Sequence, residues 1–234
     1  MNTEIKNNIE KNIKIDYAYN NYHDIISKKL PYKFVYLNDW LLKKSKILKK
    51  EAELLEKKIK NSKIKNDNKY KTYQRGTIIK ADFGIGIGSE MSQVHFAIVI
   101  NNYDNPKSNV LTVIPLTSKE NRFNLNLGTL IIDLLTEKVK KELKPIKENK
   151  INKRNNDATE LVKLKKIDTL LSYYKSYIKK TYACCNLITT ISKERIFPPI
   201  NEYDIIGKAR CSNKILNDID KEIKKNFTLT IPQK

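Results

Sequence analysis

The period of the apolar positions changes along the chain. Between residues 38 and 61, Leu41, Leu48, Ala52, Leu55 and Ile59 recur at spacings of three, four and seven, which places them on one stripe of a helix. Asn38 or Asp39 can cap its start. Lys43, Lys44, Lys46, Lys49, Lys50, Lys57 and Lys58 occupy the other faces. Upstream, residues 1–34 are polar with scattered aromatics (Tyr17, Tyr19, Tyr22, Tyr32, Phe34) and read as a short helix or loop, with Pro31 breaking any helix there. Residues 61–71 carry no hydrophobic pattern and read as a linker.

From Gly76 the pattern shortens. Thr77–Phe83, Val94–Ile100 and Val110–Leu116 read as strands, the last two strongly apolar. Between them lie a loop of glycine and short polar residues, Gly84–Gln93, and a turn region, Asn101–Asn109. Closely spaced strands joined by turns predict a small barrel or sandwich. Residues 129–180 interrupt this series. Lys138–Asn156 is rich in lysine and asparagine and reads as exposed, whereas Leu161, Leu164, Ile167, Leu171, Tyr174 and Ile178 follow a helical period. A strand is expected to resume over Tyr182–Ile191, and Ser212–Phe227 reads as a capped helix with Ile215, Ile219 and Ile223 on one face. The expected organisation is a helical extension and linker over 1–72, then a barrel domain over 73–234 with a basic helical insertion at about 129–180.

Composition adds three constraints. Forty per cent of the 234 residues are hydrophobic, enough for a real core, yet no apolar run approaches the roughly 20 residues of a membrane span. The charged N-terminus lacks the apolar stretch of a signal peptide, so a cytoplasmic protein is expected. Cys184, Cys185 and Cys211 are odd in number and read as buried or half-buried thiols; with His23 and His95 they form no zinc-like spacing. The net charge of +20 suggests a polyanionic partner, although richness in Lys, Asn and Ile together is also what an AT-rich genome produces. Its distribution favours the first reading: residues 43–75 and 138–180 each carry +9, and the rest is close to neutral.

Three segments carry a family resemblance. The run RGTIIKADFGIGIGSEMSQVHFAIVINN, starting at Arg75, resembles the opening of the MazF/PemK toxin family: an Arg-Gly start, a strand, a Gly-Ser-Glu loop and an apolar strand ending in asparagine. VLTVIPLTSK resembles the family's next strand, which ends in a threonine, and NLITTISKERI its later strand with a Lys-x-Arg exit before a terminal helix. The resemblance covers residues 75–124 and 181–227. It implies an α+β fold built on an SH3-like or CcdB-like barrel with a C-terminal helix, usually a homodimer. It also implies a sequence-selective endoribonuclease of a toxin–antitoxin system, using the 2′-hydroxyl of single-stranded RNA as nucleophile with neither metal nor cofactor. An antitoxin is the implied protein partner.

Such cleavage requires a base for the 2′-hydroxyl, an acid for the departing 5′-oxygen and donors for the phosphate. If Val94–Ile100 and Val110–Leu116 form a hairpin folded near Asn105–Pro106, His95 falls opposite residue 116, within one residue of Thr117. Histidine serves either proton transfer near neutral pH. His95 and Thr117 match the family's motif positions for its catalytic arginine and threonine, so they are the expected catalytic pair. Ser118, Lys119, Ser89, Glu90 and Arg75 are the expected RNA-binding or supporting residues. Each has a structural alternative: His95 as a hydrogen-bonded strand-end histidine, Thr117 and Ser118 as a strand end, Ser89 and Glu90 as a turn cap, Arg75 as an anchor for the first strand. Tyr173, Tyr174 and Tyr177 have helical spacing that favours packing over base stacking.

Two departures from the family matter. His95-Phe96 stands where the family commonly has Arg-Pro, and Thr189-Thr190-Ile191-Ser192 where it has Arg-Thr-Ile-Asp. Histidine lacks arginine's permanent charge and planar fork. Either the site is rewired around His95, which is the favoured reading, or activity is weakened or lost. The competing functions are a non-catalytic nucleic-acid-binding module on the same barrel and a CcdB-like protein-binding toxin, the latter resting on fold analogy alone.

Overall fold

The computed structural model describes residues 3–61, 70–151 and 158–228. Most of the expected linker and the end of the lysine- and asparagine-rich stretch lie outside them. The chain divides into two compact units: residues 1–66 with the loop Gly84–Gln93, and residues 67–83 with 94–234.

The first unit opens with one long helix, α1 (Thr3–Ser27), where the sequence suggested a short helix or loop. No glycine or proline precedes Pro31, so nothing interrupts the backbone. The helix gave no periodic signal, and among its described side chains there is no buried stripe: Ile13, Ile15, Tyr17 and Tyr19 are all exposed. It ends where the Ser27 hydroxyl turns back to the Asp24 carbonyl, and Pro31 precedes a single 3-10 turn, Tyr32–Tyr36. Helix α2 (Leu37–Lys60) follows the expected span. Its expected stripe is not buried in this chain: Leu48, Leu55 and Ile59 are 52%, 57% and 75% exposed.

The Gly84–Gln93 loop is held by its own polar groups. The Glu90 carboxylate accepts from the Ile87 N–H at 2.9 Å and the Ser92 hydroxyl from the Gly86 N–H at 3.0 Å. Lys33 donates to the carbonyls of Gly86 and Gly88 at 2.7 and 3.0 Å. Gly84 is required here: its φ is +75°, and a Cβ would stand 2.5 Å from the Trp40 ring.

In the second unit, β1 (Ile78–Asp82) pairs with β2 (Val94–Val99), and β2 with β3 (Val110–Thr117). Strand β3 then serves two partners. Its first half pairs with β6 (Thr189–Ser192), and its last residues pair with β5 (Tyr182–Ala183), which carries β4 (Leu125–Asn126). All pairings are antiparallel. The chain after β6 returns to β1 through Ala81 and Ile196, with the Phe197 N–H donating to the Lys80 carbonyl at 2.8 Å. The chain thereby closes β1, β2, β3 and β6 into a ring, from which β5 and β4 extend beside the end of β3.

The expected strand Tyr182–Ile191 is therefore two strands. Thr117 faces Tyr182 and Val113 faces Thr189, so four steps along β3 must match seven on the partner. The excess loops out as a turn in which the Leu187 N–H donates to the Cys184 carbonyl. Cys184 and Cys185 lie in this turn rather than on alternate faces of a strand, and both are buried, as is Cys211. Burial pushes their thiols up to about 11, 12 and 11 respectively, which keeps them protonated and unreactive near neutral pH.

The insertion is two helices, α3 (Leu130–Ile151) and α4 (Ala158–Tyr174), rather than one. Leu130, Ile131, Leu135 and Val139 of α3, with Ile167, Leu170 and Tyr174 of α4, share one core with Ile78, Phe96, Ile98, Ile114 and Leu116. The insertion is thus part of the hydrophobic core. Helix α5 (Asn213–Phe227) begins where the Ser212 hydroxyl accepts from the Ile215 N–H, and it buries Leu216 and Ile219 on the same core.

Candidate active site

The observed register differs by one from the hairpin estimate. Ala97 faces Pro115 and Val99 faces Val113, so continuing the ladder sets His95 directly across from Thr117 rather than residue 116. Directly opposed residues share a face of the sheet. His95 and Thr117 both line a cleft of about 240 Å³ at the end of β2 and β3.

His95 is half-buried and oriented from two sides. Its Nδ1 lies 3.0 Å from the Leu116 carbonyl oxygen, and its ring meets the edge of Phe83 with centroids 6.3 Å apart. A carbonyl only accepts, so Nδ1 is the protonated nitrogen and the neutral ring carries its lone pair on Nε2. Thr117 is positioned by the end of β3, and its hydroxyl accepts from the Lys119 N–H at 3.1 Å. Ser118 and Lys119 continue the same wall.

The opposite wall comes from the insertion. Ser176 and Tyr177, in the 3-10 turn that ends α4, line the cleft together with Lys179, Lys180 and Thr181. Lys80 of β1 completes the floor beside Phe96. Its ammonium donates to the hydroxyls of Tyr173 and Tyr177 and stands within 6 Å of the ring centroids of Phe96, Tyr173, Tyr177 and Phe197. Burial opposes its charge, but the hydrogen bonds it donates to Tyr173 and Tyr177 more than offset this and hold its pKa above the ordinary lysine value. Four lysines (80, 119, 179 and 180) therefore line the cleft, and no carboxylate is among the lining residues. Such a field attracts a phosphodiester.

The other expected site residues lie elsewhere. Ser89 and Glu90 belong to the loop of the first unit, where Glu90 caps Ile87. Arg75 bonds to the Ile100 carbonyl and pairs with Asp220 of α5, which ties the start of β1 to the C-terminal helix. Thr189 and Ser192, where the family motif has arginine and aspartate, pair with the far half of β3. At ~3.3 Å per residue of strand, Val113 opposite Thr189 stands about 13 Å from Thr117.

The sequence reading set Tyr177 aside as a packing residue and missed Lys80, Lys179 and Lys180. The only signal for the last two was the positive charge of residues 138–180; nothing local placed them beside His95.

A family model for the PemK-like, MazF-like toxin of type II toxin-antitoxin systems matches residues 74–227. No individual curated protein matches the chain. The matched segment includes the whole closed sheet, both walls of the cleft, the inserted helices and α5, so the insertion lies within the family domain and not outside it. With two thirds of its length under this model and a sheet closed in the way its motifs anticipate, the chain belongs to the PemK-like, MazF-like family of type II toxins.

Proposed function

We propose that this toxin is an endoribonuclease that cuts single-stranded RNA, with His95 as the base that activates the 2′-hydroxyl. The observation that carries the reading is the orientation of His95: the Leu116 carbonyl fixes its tautomer, on the wall of a cleft lined by four lysines. Attack of the 2′-oxygen on the adjacent phosphorus breaks the bond to the 5′-oxygen and leaves a 2′,3′-cyclic phosphate and a 5′-hydroxyl. Lys119, Lys179 and Lys180 stabilise charge on the phosphate, and the Thr117 hydroxyl donates to a non-bridging oxygen. Thr189 and Ser192 bear on this less than their sequence suggested, because their half of β3 is remote from the cleft. The chemistry needs no metal ion. We further propose action in the cytoplasm as a homodimer, restrained by a cognate antitoxin, as type II systems pair the two proteins.

The test is cleavage of a long unstructured RNA by purified protein in excess EDTA, wild type beside His95→Ala, with mapping of the new ends. Cuts with 5′-hydroxyl ends in the wild type, reduced at least about 10²-fold in the variant, are expected. Intact RNA in both, with the protein folded and RNA bound, would replace the enzyme with a binding module on the same barrel.

A further inference from the structure

An imidazole that takes the 2′-hydroxyl proton leaves the departing 5′-oxygen without a proton donor. The cleft contains a second group suited to that role. Tyr177 lines the same cleft as His95, on the wall contributed by the insertion, with its ring edge-on to Phe96 and centroids 5.0 Å apart. Its hydroxyl accepts from the Lys80 ammonium at 3.1 Å. An ammonium can only donate, so the hydroxyl's own proton is directed away from Lys80. Tyr173 accepts from the same ammonium but does not line the cleft, and Tyr174, fully buried, donates to Asp204 at 2.7 Å. Of the three clustered tyrosines, only Tyr177 has both the cation and the cleft.

We propose that Tyr177 is the general acid of the reaction and that Lys80 is the residue that positions it and stabilises its phenolate. The inference rests on the endoribonuclease reading above. In the proposed step, His95 Nε2 takes the proton of the 2′-hydroxyl and the 2′-oxygen bonds to phosphorus. The bond from phosphorus to the 5′-oxygen breaks, and the Tyr177 proton passes to that oxygen. The phenolate then faces the Lys80 ammonium until it regains a proton from water, while the imidazolium loses one to water, so the proton inventory closes. The insertion thereby supplies half of the acid–base machinery. It also gives the aromatic enclosure of Lys80 a purpose: a permanent, partly desolvated cation beside a phenol.

The experiment compares ordinary RNA with an RNA carrying sulfur in place of the bridging 5′-oxygen at the cleaved bond. A thiolate departs without a proton, so it bypasses a missing acid. Wild type is expected to cut both. Tyr177→Phe is expected to cut ordinary RNA roughly 10²- to 10⁴-fold more slowly and the sulfur substrate at close to the wild-type rate. Lys80→Met is expected to follow the same pattern, whereas His95→Ala stays slow on both. Recovery on the sulfur substrate also shows the variant to be folded. Equal slowing of Tyr177→Phe on both substrates would make Tyr177 a structural or binding residue and overturn the proposal. Unchanged cutting of ordinary RNA by that variant would overturn it too, with the enzyme reading intact. A wild type that cuts neither substrate overturns the enzyme reading itself.

Discussion

Lys193 opens the basic exit of β6, Lys193–Arg195. In the fold it is turned inward. Its ammonium lies 2.7 Å from the Asp104 carboxylate, with side-chain exposures of 4% and 2%. Asp104 also accepts from the Tyr73 N–H at 2.9 Å, so the pair fastens the turn after β2 to the exit of β6 and to the approach of β1. Arg195 is half-buried and donates to the Asp82 carbonyl at 2.6 Å. Breaking a buried pair by removing one partner strands the other charge, at a cost of about 3–5 kcal/mol. Lys193→Met is therefore expected to lower stability by that amount in urea unfolding, and Lys193→Met with Asp104→Leu to recover most of it. A single variant that loses under about 1 kcal/mol would show that the pair is wetter than its burial implies.

At the scale of elements, the inserted helices are joined by Glu142 of α3, which accepts from Lys138 of its own helix at 2.7 Å and from Lys163 of α4 at 2.8 Å. The hydrogen bond from Lys138, then that from Lys163, holds its carboxyl below the ordinary value of 4.5. A depressed folded-state pKa means a contribution fully present above the unfolded value and lost as pH falls through the folded one. Glu142 is 23% exposed, so solvent screens the gain, which is about 0.5 kcal/mol. Glu142→Gln is expected to be destabilised by that amount at pH 7, with the gap to wild type closing towards pH 3. A gap of equal size at both pH values would assign the effect to packing instead. The comparison matters for function because α4 carries the turn that holds Tyr177, Lys179 and Lys180 against the cleft.

For the whole molecule, the formal charge of +20 predicts strongly salt-dependent RNA binding. Lys179 and Lys180 belong to the basic segment 138–180 and line the cleft. Each phosphate contact on a single strand contributes roughly 0.7 to the slope of log affinity against log salt. Replacing both lysines by alanine is expected to lower the slope by up to about 1.4 and to weaken binding similarly for different RNA sequences. An unchanged slope would place the phosphate path elsewhere on the molecule. Among the described residues, no helix is long and apolar enough to cross a membrane.

The sequence by itself determined β1, β2, β3 and α5, because their signals are local: alternating or continuous apolar runs, turn residues between them, and a capping serine before Asn213. It also brought His95 to the end of β3, since a hairpin fixes which strand ends meet. It missed the register by one because the span Asn101–Asn109 is too long for turn chemistry to set the pairing. Three features were decided only by the tertiary structure. The split of Tyr182–Ile191 follows from β3 having two partners, a property of the sheet and not of either strand. Helix α3 was not anticipated because its apolar start, with Leu130, Ile131 and Leu135, is short and runs into the lysine-rich stretch from Lys138, where only Val139 joins the core. The wall of Tyr177, Lys179 and Lys180 stands about a hundred residues from Lys80 and His95 in sequence, and only core packing of α3 and α4 carries it there. Periodicity records which face of an element is buried; it carries no information about which distant element will bury it.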